Sequence, residues 1–320
     1  MQVLCLAAFT LWTAVAAPAA GPIYLLLFVM GAVRAFGSPA MSAVLPNIVS
    51  RDDFPRAVAS ASSAFQICTI AGPAIGGLLY AIGGRLVFAA GAGLYLFAMT
   101  QAWRLPASGR PDIPTDRSML AGIRYVRSNR LLLALLSLDL FAVLLGGVTA
   151  LLPIYAADIF AVGPIGLGCL RCAPGVGAAI VGLMLARRPI DRGAGKSMLY
   201  CVAGFGVATV VFAVSTKFWL SLGALIAAGA FDMVSMVIRH TLVQIATPDT
   251  MRGRISAINW VFIGASAELG QFESGATAAL FGAMPAALLG GLGTLAVVAL
   301  WVMIFPELRK KDRSLAAAAQ

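Results

Sequence analysis

Apolar residues run along this chain in long blocks, broken at intervals by short polar connections. A helix crosses the hydrocarbon layer in about 20 mainly apolar residues. Ten stretches of roughly that length can be marked: 2–17, 22–45, 56–80, 85–104, 131–154, 163–186, 197–215, 218–245, 255–281 and 284–305. Most of the breaks carry Gly, Pro, Asp or Arg. The period-two alternation of a lipid-facing strand is not seen, which argues against an outer-membrane barrel. The pattern predicts an all-α, polytopic membrane helix bundle. The first stretch has a competing reading as a signal peptide, because Ala14-Val15-Ala16 resembles a cleavage site. Against it, no Lys or Arg precedes Arg34, so the basic n-region is absent.

Composition agrees with the pattern. Of the 320 residues 60% are hydrophobic and 11% charged, where a soluble domain carries roughly a quarter charged residues. Mean hydropathy is +0.92. A cytosolic enzyme, a disordered chain and a disulfide scaffold are excluded. The net charge of +10 would suggest nucleic acid on a soluble protein. In a membrane protein the positions of the charges report orientation instead. With residue 1 inside, the inner connections take Arg51, Arg56, the arginines between 104 and 130, Arg187, Arg188, Arg192, Lys196, Arg239, Arg252, Arg254 and the basic tail. The outer connections take only Arg85 and Lys217, while Arg34 and Arg171 fall within spans. This asymmetry predicts both termini in the cytoplasm of a multi-pass plasma (inner) membrane protein, with no nucleic-acid partner.

The longest polar segment, 105–130, opens as a loop rich in proline (Pro106, Pro111, Pro114). From Ser118 to Arg130 it sets Met119, Leu120, Ile123 and Val126 at helical spacing, opposite Arg117, Arg124 and Arg127. That half predicts an amphipathic helix on the inner leaflet. The expected organisation is four spans over 1–104, a cytoplasmic linker over 105–130, six spans over 131–305 and a cytoplasmic tail over 306–320. The loop Ile48–Val58 resembles the loop Ile245–Ile255: each places Asp near its start and Arg at the entry to a long helix. Duplicated halves are common in transporters. Four spans precede the second copy in its half and two precede the first. The repeat therefore implies a 4+6 arrangement lacking two N-terminal helices.

Several motifs carry a family resemblance. Gly72-Pro73-Ala74-Ile75-Gly76-Gly77 looks like the G-P-x-x-G-G antiporter motif of the fifth helix of drug/proton exporters. Arg34, followed by Gly37, Pro39 and Ala40, looks like a fourth-helix arginine motif. The loop Ala186–Lys196, with Asp191 and Arg192, is similar to the second-half copy of a cytoplasmic loop motif. By these the chain resembles the major facilitator superfamily, twelve-helix secondary transporters, as helices three to twelve. The stretches Ala230–Ser235 and Glu268–Gly275 resemble the branch holding the enterobactin exporter and macrolide efflux proteins. The resemblance implies a monomeric exporter of a small amphipathic molecule (a drug, macrolide or siderophore), working by alternating access against protons. It also implies that Gly72, Pro73, Gly76 and Gly77 form a tight gate, for which close helix packing is the simpler explanation. An inert fragment and an importer of the same fold remain as alternatives.

A charge inside a span costs roughly 2.5–3.5 kcal/mol on insertion scales and usually faces a cavity or a partner. The candidates are Arg34, Asp139, Arg171, Asp232, Glu268 and Glu273. The repeat sets Asp232 opposite Arg34, and three roles stand: proton coupling, cavity lining or a static pair. Asp139 lies roughly 13 Å from the inner edge, as a proton carrier, a contact for a cationic substrate or a helix cap. Glu268 and Glu273 point about 140° apart, so one cavity cannot take both, and Glu268 is favoured. Arg171 binds an anionic group or pairs with Asp158. His240 reads as interfacial. Cys169 and Cys172 read as small packing residues rather than metal ligands, since no other Cys/His cluster accompanies them. No P-loop is present, and no cofactor or metal is expected.

Overall fold

A computed structural model describes residues 2–12, 21–33, 64, 68, 71–73, 75–104, 119–187, 193–248, 251–306 and 308. These residues are overwhelmingly helical, with no strand among them. The chain divides into two compact units, Met1–Thr115 and Asp116–Gln320, and the division falls inside the polar 105–130 segment.

The first unit contains α1 (Gln2–Trp12), α2 (Gly21–Val33), α3 (Ala71–Ile82) and α4 (Gly84–Ala102). Helices α1 and α4 pack together, with the Phe9 and Phe88 rings stacked at 5.2 Å. A Cβ at Gly91 would stand 3.4 Å from the Leu6 side chain, in ordinary van der Waals contact, so the two helices lie close at this point.

The second unit begins with α5 (Met119–Ser128). It is the helix expected on the inner leaflet. Its Val126 is buried in the core of this unit and the Tyr125 hydroxyl donates to the Ala246 carbonyl at 3.5 Å. Ile123, Arg124 and Arg127 stay exposed. Part of its apolar face is thus covered by protein.

Six long segments follow. Helix α6 (Arg130–Leu145) starts at Asn129, whose Oδ1 accepts from the Leu131 and Leu132 amides at 3.1 and 3.3 Å. This satisfies two of the orphan donors of a helix start. The sequence pattern predicts one span over 131–154. The structure instead breaks the helix at Gly146–Gly147 and continues as a 3₁₀ turn (Val148–Leu151), α7 (Leu152–Ile154) and a π-turn (Tyr155–Ile159). Pro153 accounts for part of this. It has no N–H for the carbonyl four residues back, and its ring crowds that carbonyl.

Beyond it come α8 (Gly163–Arg187), α9 (Ala194–Val214), α10 (Phe218–Ile245), α11 (Arg252–Phe281) and α12 (Ala283–Ile304). Their limits lie within a few residues of the predicted spans. Gly282 turns α11 into α12 at φ 90°, a conformation that costs a side-chain-bearing residue.

Two core clusters show the up-and-down course of the helices. One joins Leu132, Leu135, Met198, Ile238, Ile255 and Trp301; the other joins Leu151, Tyr155, Leu170, Phe212, Leu225 and Ala287. Within the bundle α6 packs on α11 and α12, α10 packs on α8 and α9, and α9 against α12 joins the two groups. Among the described residues, five helical segments are long and apolar enough to cross a membrane: Arg130–Ile159, Gly163–Leu185, Ala194–Val214, Phe218–Val243 and Ala283–Ile304. Helix α11 has 30 residues but is too polar for that group, because Glu268, Gln271 and Glu273 interrupt it.

Candidate functional site

The α8–α10 crossing sets the position of two candidates. A Cβ on Gly177 would stand 1.9 Å from the Ile226 carbonyl oxygen, and one on Gly229 would stand 2.0 Å from that of Pro174. Only hydrogen atoms fit there, so the two backbones touch directly. Arg171 lies two turns before Gly177 on α8, and its side chain is exposed. At helical spacing it shares a stripe with Gly175, Ala178 and Gly182. The stripe Ile165, Val176, Ile180 and Leu183, on another side of α8, is wholly apolar and exposed. The helix thus presents a small, charged face and a separate lipid-like one. Asp158 is also exposed, and no ion pair joins it to Arg171 among the described residues.

On α10, Asp232 and Arg239 are seven residues apart, so they lie on nearly the same face and about 10.5 Å apart along the axis. They differ in surroundings. Asp232 is exposed, whereas Arg239 is 3% exposed. Arg239 forms an ion pair with Asp139 of α6, itself only 8% exposed. By sequence Arg239 counts with the cytoplasmic connections, although it falls inside the predicted span 218–245; the structure corrects this and turns its guanidinium into the bundle. This protein partner is not among the three roles set out for Asp139 from the sequence. His240, the next residue, is half-buried.

Helix α11 completes the layer. A Cβ at Gly270 would meet the Leu144 carbonyl at 2.7 Å, and one at Gly147 would meet the backbone of Gly270 at 2.7 Å. The middle of α11 therefore lies against the break in α6. Because α6 and α10 run in opposite directions, seven residues from the Asp139–Arg239 pair brings α10 to Asp232 and α6 to Gly146. Asp232, the α6 break and the Glu268–Gln271 turn of α11 share one level of the bundle.

Gly264, Glu268, Gln271 and Gly275 form an exposed stripe along α11, with no described atom within 4 Å of a Cβ at either glycine. Glu273 points elsewhere and accepts from the Thr277 hydroxyl at 3.0 Å. Glu268, the one favoured for the cavity from the sequence, lies on this stripe and Glu273 does not. Gln271 was missed; its position one turn beyond Glu268 was the available signal.

A groove of about 480 Å³ between α9 and α10 is lined by apolar residues such as Val207, Trp219 and Phe231. None of the charged candidates enters it. Cys169, Cys172 and Cys201 are free thiols, and no group of three metal-ligating side chains occurs among the described residues. In the first unit, Gly72 and Gly76 have no described atom within 4 Å of an added Cβ, and Pro73 is half-buried. Arg34, Asp191 and Arg192 lie outside the described residues.

The family profile described as transmembrane secretion effector matches residues 1–320. The chain belongs to that family, within the major facilitator superfamily. It is 28% identical over 292 residues to the enterobactin exporter EntS of Shigella dysenteriae serotype 1 (strain Sd197), covering 90% of this chain and 70% of that protein. It is 27% identical over 293 residues to EntS of Escherichia coli O139:H28 (strain E24377A / ETEC), with the same coverage. Among solved structures the fold is similar to a bacterial metal transporter, with a TM-score of 0.63 at 15% identity over 94% of this chain and 81% of that one. It is also similar to a bacterial homologue of the lysosomal transporter Spinster in an inward-facing, occupied conformation, at 0.63 and 13% identity over 99% and 83%. This member of the secretion-effector family is a multi-pass inner-membrane transporter with a small-molecule substrate, and not an enzyme.

Proposed function

We propose that this transporter exports a small amphipathic molecule by alternating access, driven by proton entry. The carrying observation is that Arg171 and Asp232 are exposed on the otherwise apolar helices α8 and α10, and Glu268 on the more polar α11 beside them. Facing lipid, each would cost roughly 2.5–3.5 kcal/mol. Facing a water-filled cavity, each stays solvated and meets whatever enters. An arginine and two carboxylates on apolar walls suit a partly apolar molecule bearing a phenolate or carboxylate, such as a siderophore, and the EntS relatives are named for a siderophore. A macrolide or cationic drug would use the carboxylates instead.

In this reading Asp232 and Glu268 carry the protons. Protonation changes the charge each presents to the cavity and biases one of two bundle arrangements, which is the differential interaction coupling requires. Gly72, Pro73, Gly76 and Gly77 close one gate, and the Asp191–Arg192 loop lies on the cytoplasmic side with both termini. The transporter works as a monomer.

The test is uptake into inverted membrane vesicles across an imposed pH gradient, using catecholate siderophores, macrolides and cationic dyes. Wild type accumulates one class and alkalinises the lumen in step, as protons leave in exchange for substrate. Asp232→Asn and Glu268→Gln should abolish accumulation while leaving downhill exchange. Accumulation that ignores the pH gradient in wild type would refute proton coupling.

A further inference from the structure

We infer that Asp139 and Arg239 form a permanent clasp that orients α10 against α6 and exchanges neither proton nor substrate. Arg239 is thus a positioning residue acting on Asp232 through the helix they share. The inference is independent of what is exported and of whether protons drive it.

Three observations carry it. First, the pair sits where the bundle has little else to hold it. Helix α6 packs on α11 and α12, and α10 on α8 and α9, so the direct contact between α6 and α10 is slight and this pair is part of it. Second, the surroundings are dry. Leu135, Leu138, Ala142, Ile238 and Val243 belong to the same buried cluster, and both charged residues are almost fully enclosed. Third, an arginine does not give up its proton in a protein. The Asp139 carboxylate faces a fixed positive charge, and a proton taken there would strand that charge in an apolar core. His240 lies beside Arg239 but is half-buried. Asp232, by contrast, is exposed two turns away on the same face. Fixing the rotation of α10 at Arg239 therefore fixes the direction in which Asp232 points.

Dicyclohexylcarbodiimide, which modifies protonated carboxyl groups in apolar surroundings, tests this on the unaltered full-length protein in native membranes. Mass spectrometry after treatment from mildly acidic to mildly alkaline pH should find no adduct on Asp139. An adduct on Asp139 overturns the clasp.

Variants give a second readout. Asp139→Asn and Arg239→Gln each leave one buried charge unpaired, and should lower transport at least about tenfold. The double variant Asp139→Asn/Arg239→Gln removes both charges, and the exchange Asp139→Arg/Arg239→Asp restores a pair. At least one of these should recover to within about threefold of wild type, with an unchanged pH profile. A well-inserted double variant with a shifted pH profile would show that Asp139 takes part in exchange. If neither variant inserts, the labelling result decides alone. If wild type exports nothing, the functional proposal fails and the labelling result still stands.

Discussion

The α8–α10 crossing allows a sharp prediction from one methyl group. Gly229→Ala places a carbon 2.0 Å from the Pro174 oxygen, and Gly177→Ala places one 1.9 Å from the Ile226 oxygen. A carbon and a carbonyl oxygen in ordinary contact stand about 3.3 Å apart. Both acceptors are backbone, so no side chain can swing away and the helices must part by about 1 Å. A gap of that size forfeits a quarter to a half of the dispersion along the contact, and overpacking costs typically about 1–3 kcal/mol. Alanine recovers about 1 kcal/mol of helix propensity. The net is a loss of about 1 kcal/mol for each variant, worth roughly 2–4 °C in a unit of this size. Because one separation relieves both clashes, the double variant should lose less than the sum of the singles. Gly223→Ala is the control, since no described atom lies within 4 Å of its Cβ, and it should be neutral or slightly stabilising. The measurement is a thermal ramp of the detergent-solubilised transporter, followed by fluorescence-detected gel filtration. If Gly229→Ala melts with or above Gly223→Ala, direct backbone contact at this crossing is wrong.

Two further effects follow from single hydrogen bonds. The Tyr155 hydroxyl donates to the Ala213 carbonyl at 2.9 Å in a fully buried site, so Tyr155→Phe should cost about 1 kcal/mol, read as a lower melting temperature with normal membrane insertion. Asn129→Ala removes the acceptor for two amides at the start of α6 and should cost about 1 kcal/mol, visible as faster amide exchange over Leu131–Leu133 relative to the rest of the helix.

The six segments of the second unit were legible because membrane helices advertise themselves by length and hydropathy. The match is closest at α10, predicted and found over 218–245. The relation of Glu268 to Glu273 was also legible, since five residues around a helix fix their divergence before any neighbour is known. The break in α6 was less so. Gly146, Gly147 and Pro153 mark it, yet the surrounding leucines read as one uninterrupted span. Arg239 was misplaced for a different reason. Its position near the end of an apolar run reads as interfacial, and the residue that draws it inward, Asp139, is a hundred positions away. Local pattern holds no information about that pairing. The same applies to the contact between Gly177 and Gly229, where only the fold shows that two ordinary glycines are opposite one another.

The sequence distance across the clasp has a consequence for biogenesis. Ribosomes add about 5–20 residues per second, so α6 waits roughly 5–20 s in the translocation machinery or bilayer before Arg239 is made. During that interval Asp139 has no counter-ion, at an insertion cost of roughly 2.5–3.5 kcal/mol. The helix meets this by itself. Its sequence RLLLALLSLDLFAVLL carries nine leucines, each favouring insertion by about 0.3–0.6 kcal/mol, which together offset the carboxylate. The leucine content of α6 thus reads as provision for a nascent chain that must enter the membrane long before its partner exists.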